Sequence, residues 1–154
     1  MTENGPLGTA HDDALAGEST RDRYRRGEQL LHAINGDIGT QFVEALADVS
    51  PDLAHDIVAH GFGDVYSRPD LTPPQRQLVT LGMLTALGGC EPQLKVHVET
   101  SLNVGLSPEQ VVGALSQASI YCGFPKALNA VFVAKQVFHE RGLLPLAPAR
   151  PDAT

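Results

Sequence analysis

Along most of the chain apolar residues return every three or four positions, the spacing of one face of an α-helix, and nowhere do β-branched residues alternate for long enough to predict a strand. The pattern predicts an all-α bundle of about six to seven helices over residues 19–143, without a sheet. A first helix is expected from Ser19 or Thr20, with Asp22 in its first turn, to a stop at Asn35-Gly36; its exposed face is basic. "DIGTQFVEALADVS" and "PDLAHDIVAHGF" read as short helices, the second with Ser50 as cap and Pro51 at its first position. Gly61, Gly63 and "SRPDLTPP" are expected to form a loop. From Pro74, "PQRQLVTLGMLTALGG" is apolar over most of its circumference, which predicts a central helix stopping at Gly88-Gly89.

In "EPQLKVHVETSLNVG" the residues Leu94, His97, Val98 and Ser101 fall on one stripe, so His97 is expected to face inward, and Gly105 closes the helix. Ser107 as cap, Pro108 at the first position and Glu109 in the first turn open the next helix, whose "VVGALSQASIYC" has almost no polar face. Gly123 and Pro125 should end it, and the last helix turns Ala127, Ala130, Val131, Ala134, Val137 and Phe138 inward. Residues 1–18, rich in Gly, Asp, Thr and Ala, and residues 144–154, with repeated proline, read as tails.

With 154 residues the chain has the length of one domain and enough of it to bury a core without staples. A formal charge of −7 argues against nucleic acid or an anionic membrane as partner, and leaves a small molecule as the expected one. No apolar run reaches membrane-spanning length, and the N-terminal stretch is neither basic nor apolar; the expected location is cytoplasmic. Cys90 and Cys122 are too few and too far apart for a disulfide framework or a zinc knuckle, so reduced thiols packed as small hydrophobes are expected.

Candidate chemistry centres on His97, which is either a satisfied core histidine or a proton-handling group, because imidazole changes charge near neutrality. His55 and His60 are five residues apart and point to different helix faces, unlike a zinc-binding pair; no metal site is expected. His32 and His139 read as surface residues. Gln117, Ser119 and Tyr121, the polar members of an apolar helix, either tie helices together or line a cavity. Arg76, Lys95 and Lys126 are the cations that could meet a carboxylate, although each alone reads as a solvated charge.

"YCGFP" from Tyr121, together with "GDVYSRPDLTPPQRQLVTLGMLTALGG", "HVETSLNVGLSPEQVV" and "NAVFVAKQVF", resembles the carboxymuconolactone decarboxylase family, whose fold is that of the alkyl hydroperoxidase D proteins. The resemblance runs from about Arg23 to Gly142. It implies an all-α subunit in a homo-oligomer, a trimer or hexamer, with a pocket between helices and subunits and no cofactor. His97 matches the family's histidine and becomes the implied proton donor or oxyanion partner, and "YCGFP" becomes a pocket turn. Tyr121 and Gln117 are then candidate hydrogen-bond donors, Arg76 or Lys126 candidate carboxylate anchors, and Cys122, Phe124 and Leu128 the apolar wall.

The implied chemistry is loss of carbon dioxide from a small carboxylated lactone or related enolisable ring through an enolate. The sequence departs from the family pattern at "LGGCEPQLKVH", which lacks an arginine usual there, at Gly113 and Gln77, neutral where a relative carries a carboxylate, and at Lys126, where a small residue is usual. These departures leave two further readings: isomerisation, dehydration or ring rearrangement of a polycyclic or polyketide-derived molecule in secondary metabolism, or a non-catalytic ring-forming, ligand-binding protein. Cys90 lies seven residues before His97, but Gln93 stands where a thiol peroxidase of this fold has its second cysteine, which argues against dithiol chemistry.

Overall fold

The computed structural model describes residues 17–146, and throughout them the only regular structure is helix. The helices are α1 (Thr20–Asn35), α2 (Asp37–Glu44), α3 (Pro51–Asp56), α4 (Pro73–Leu87), α5 (Glu91–Asn103), α6 (Pro108–Cys122) and α7 (Phe124–Glu140). α3 passes without a break into π-helical turns over Ile57–Tyr66. Most of the two terminal stretches read as tails lies outside the described residues; of the second, Leu144 and Leu146 pack against the core.

The signals that open and close the helices are local and act as expected. The Ser19 hydroxyl oxygen accepts from the Asp22 N–H at the start of α1, and Ser107 accepts from the Gln110 N–H while Gln110 Oε1 accepts from the Ser107 N–H, a reciprocal cap on α6. Gly123, at φ 82°, makes the turn from α6 to α7 that a side chain would resist. Pro125 does not end α6 but sits in the first turn of α7, where its missing N–H has no helical partner to lose.

Two clusters make the interior. Leu81, Leu94, Val98, Val111, Leu115, Ala134, Val137 and Phe138 close the bundle of α4 to α7. Leu31, Val58 and Phe62 join α1 to the π-helical segment, with Tyr24 and Tyr66 at its margin. That second union needs bare backbones: a Cβ on Gly27 would stand 2.1 Å from the Val58 carbonyl oxygen, and one on Gly63 2.7 Å from that of Arg23. Gly63, like Gly61, therefore belongs to a helix and not to the expected loop, which is confined to residues 67–72. The glycines are there for close approach, a use that sequence cannot distinguish from a turn.

The apolar circumference of α6 and α7 is not all interior. Ile120, Tyr121 and Phe124 are 76%, 84% and 74% exposed, and Val79, Met83, Leu87, Leu128 and Phe132 are also exposed. Among the described residues no helix is long and apolar enough to cross a membrane.

Candidate functional site

A cavity of about 260 Å³ lies where the two clusters meet, walled by Leu31 and Asn35 of α1, by Phe42 and Val43 near the end of α2, by Ile57, Phe62 and Tyr66 of the π-helical segment, and by Thr80, Gln93, Val96 and His97 of α4 and α5. Its wall is mainly apolar, and none of the described residues lining it is charged.

His97 reaches it because α5 buries the stripe predicted for it: Leu94, Val98 and Ser101 are buried, with His97 at the edge of that stripe. Its Nδ1 lies 2.9 Å from Oε1 of Gln77, a side chain with no exposed surface at all. Since an amide oxygen only accepts, this arrangement puts the proton on Nδ1 and leaves Nε2 with a lone pair. Gln77 Nε2 in turn donates to Tyr66 Oη over a long 3.5 Å, so that the Tyr66 hydroxyl keeps its own hydrogen to give. One buried amide thus holds two wall residues with opposite polarity, an acceptor at His97 and a donor at Tyr66. Burial pushes the His97 pKa down from 6.5 to about 4, so the imidazole is neutral at pH 7.

The other polar groups of the wall are uncharged. Thr80 spends its hydroxyl hydrogen on the Arg76 carbonyl at 3.0 Å, and Asn35 Oδ1 is buried without a hydrogen-bond partner among the described residues. Among those residues no group of three or more His, Cys, Asp and Glu side chains is placed to hold a metal ion.

The remaining sequence-predicted site residues do not converge on His97 within the chain. Arg76 is buried instead of solvated: its Nη2 donates to Asp70 at 2.5 Å and to the Arg68 carbonyl at 2.9 Å, and its guanidinium lies 5.7 Å from the centre of the Tyr66 ring. It is therefore a support for Tyr66, outside the cavity wall. Lys126 donates to the Ala86 and Leu87 carbonyls, closing the C-terminus of α4 where a cation is favoured. Gln117 and Tyr121 line a separate groove of about 460 Å³ with Leu78, Val79 and Ala114, and both are exposed rather than buried polar groups. Phe124 and Leu128 are exposed, and the Cys122 thiol turns back to the Ala118 carbonyl at 3.1 Å. Cys90 also lies outside the His97 cavity, its thiol 3.3 Å from the Leu84 carbonyl.

Three wall residues, Asn35, Tyr66 and Gln93, are not among the candidates that the sequence offers, and their signals are weak. Asn35 reads as a helix stop, Tyr66 falls inside the expected loop, and Gln93 stands out only for not being cysteine.

A sequence model of the carboxymuconolactone decarboxylase family matches residues 51–136, the stretch that holds Tyr66, Gln77 and His97. The chain is 31% identical to the 4-carboxymuconolactone decarboxylase of Acinetobacter baylyi over 80% of its own length and 92% of the relative's. It is 28% identical to the nitrosuccinic acid decarboxylase of Metarhizium robertsii over 82% and 92%, and 27% identical to an uncharacterised 15.0 kDa protein of Paracoccus denitrificans over 74% and 86%. A helical chain, a histidine-walled cavity and a family match over more than half of the residues agree: the chain belongs to the carboxymuconolactone decarboxylase family.

Proposed function

We propose that the protein is a decarboxylase-like lyase that removes carbon dioxide from a small, enolisable ring acid bound beside His97. The observation that carries this reading is a neutral imidazole fixed by the buried Gln77 amide in the wall of a mainly apolar cavity. Two relatives that act as decarboxylases support the class of reaction.

In such a reaction the bond from the ring to the carboxylate carbon breaks, and its electron pair moves through the ring to a carbonyl oxygen. An apolar wall disfavours the localised carboxylate more than the delocalised charge that replaces it. The Tyr66 hydroxyl is the donor for the developing enolate oxygen. His97 Nε2 takes a proton from solvent and passes it to carbon, the neighbouring anion stabilising the brief imidazolium. A cavity of about 260 Å³ is below the range of about 300–1,000 Å³ typical of drug-sized ligands, which favours one small ring over a polycyclic skeleton.

The exposed apolar surface around Ile120, Tyr121 and Phe124 supports a homo-oligomer in which Tyr121, Gln117, Phe124 and Leu128 meet a neighbouring subunit.

The test is carbon dioxide release from carboxylated butenolides, γ-carboxymuconolactone among them, with His97→Gln as control. Release that falls with the histidine supports the reading, and release indifferent to it removes His97 from the mechanism.

A further inference from the structure

His97 rests in the protonation state of a base. It lines the cavity half-buried, and with Nδ1 turned to Gln77 Oε1 at 2.9 Å the ring edge left to the cavity is the one that carries Nε2. Nε2 is not one of the buried polar atoms that lack a partner among the described residues, so a bound molecule can reach it. The Gln77 oxygen only accepts, which keeps the hydrogen on Nδ1 and a lone pair on Nε2. Burial keeps the imidazole neutral at pH 7. To give a proton to carbon, as decarboxylation requires, the ring must first acquire one; to take a proton from carbon, it is already in the form needed.

Tyr66 supplies the other half of such a step. It lines the same cavity, and because Gln77 Nε2 donates to its oxygen at 3.5 Å, the hydroxyl keeps its hydrogen to give. A base and a hydroxyl donor in one mainly apolar wall are the groups that enolisation of a carbonyl compound uses. The base takes hydrogen from the carbon next to the carbonyl, and the donor meets the charge that arrives on oxygen. The cavity is open to solvent on one side, where Gln93 is exposed, so a proton taken up by the imidazole can be traded with water.

We propose, building on the lyase reading above, a further activity at this site: enolisation of uncharged β,γ-unsaturated lactones that have no carboxylate to lose. His97 Nε2 takes a hydrogen from the carbon between the lactone carbonyl and the double bond. The electron pair of that C–H bond moves into the ring and on to the carbonyl oxygen, giving an oxyfuran anion beside the Tyr66 hydroxyl. Because this anion is aromatic, the hydrogen is far more acidic than that of an ordinary ester, and a weak base suffices. The imidazolium then returns a proton. Delivered to the same carbon, it exchanges the hydrogen with solvent; delivered to the ring carbon beside the ring oxygen, it moves the double bond into conjugation with the carbonyl. No co-reactant is consumed in either case. The anion is of the kind that decarboxylation of a carboxylated butenolide leaves behind, so the same two side chains serve both reactions.

The probe is α-angelica lactone in deuterium oxide, followed by proton NMR. The signal of the hydrogens next to the carbonyl should fade faster than in buffer alone, and β-angelica lactone should appear as the proton is returned to the far carbon. His97→Gln and Tyr66→Phe should each slow the enzymatic exchange by roughly a hundredfold with helix content unchanged. Imidazole nitrogen shifts of the unaltered protein should report the hydrogen on Nδ1. Exchange no faster than in buffer, exchange that survives His97→Gln, or a hydrogen on Nε2 overturns the proposal. Carbon dioxide release from carboxylated butenolides, measured alongside, separates the two readings. Release without exchange removes the enolising activity and leaves the lyase; exchange without release keeps the enolising activity and removes the lyase. Neither exchange nor release would overturn both.

Discussion

The wholly buried side chain of Gln77, on α4, ends 2.9 Å from Nδ1 of His97, twenty residues away on α5. The pair fixes the imidazole without charging it, because an amide orients a proton but carries no field strong enough to hold a second one. Gln77→Glu should change this directly: a carboxylate at that distance favours the imidazolium and raises the His97 pKa by more than about one pH unit. Imidazole chemical shifts followed against pH would show it, and an unmoved titration would mean that the two side chains are not coupled.

Stability should depend on pH through the same residue. In the unfolded chain the imidazole titrates near 6.5, in the folded one near 4, so between these values the unfolded state binds more protons. The contribution is complete above about pH 6.5 and is lost as the pH falls towards 4, at most on the order of 3 kcal/mol. Urea midpoints measured from pH 7.5 to 4.5 should fall more for the unaltered protein than for His97→Gln. Parallel curves would contradict the buried, neutral state.

His97→Gln should lower turnover by roughly a hundredfold or more, the usual contribution of a positioned acid or base. Cys90→Ser should leave turnover nearly unchanged, since the thiol lies outside the cavity and is turned to a backbone carbonyl. Steady-state rates with the best ring acid decide both, and a large loss in the serine variant would restore redox chemistry to consideration.

Much of the fold is legible in the sequence, and the limits are instructive. Capping residues such as Ser19, Ser107 and Gly123 act within a turn of themselves, so helix ends can be read locally. The inward stripe of α5 comes from the helical period, and with it His97. The Gln77 bridge does not, because nothing in a helix period says which residue of α4 will face which of α5. Nor does apolar periodicity separate a core from a surface that a second subunit would cover. Tyr121 and Phe124, expected in a pocket wall, stand exposed on the chain.

That surface yields its own prediction. Ile120→Asp with Phe124→Asp should leave the helix content intact and reduce the mass in sedimentation to that of one chain, since charges in an apolar interface are strongly disfavoured. An unchanged mass would mean that Ile120 and Phe124 hold no contact between chains.

Lys126→Ala should separate support from binding. Its ammonium closes the C-terminal carbonyls of α4 and lines no part of the His97 cavity, so a small loss of melting temperature with an unchanged KM is expected. A raised KM with the melting temperature intact would return Lys126 to the substrate.

The π-helical turns of Ile57–Tyr66 act as a phase setter. A wide turn holds one residue more than an α turn, so each adds a rotational lag between the helix before it and the residues after it. A variant that rewound these turns into α turns without losing a residue would advance the side chains after them around the axis, since an α turn completes itself about one residue sooner. Tyr66, last in the segment, would rotate away from Gln77, and the hydroxyl that answers the imidazole would leave the wall with no residue of the site itself having been altered.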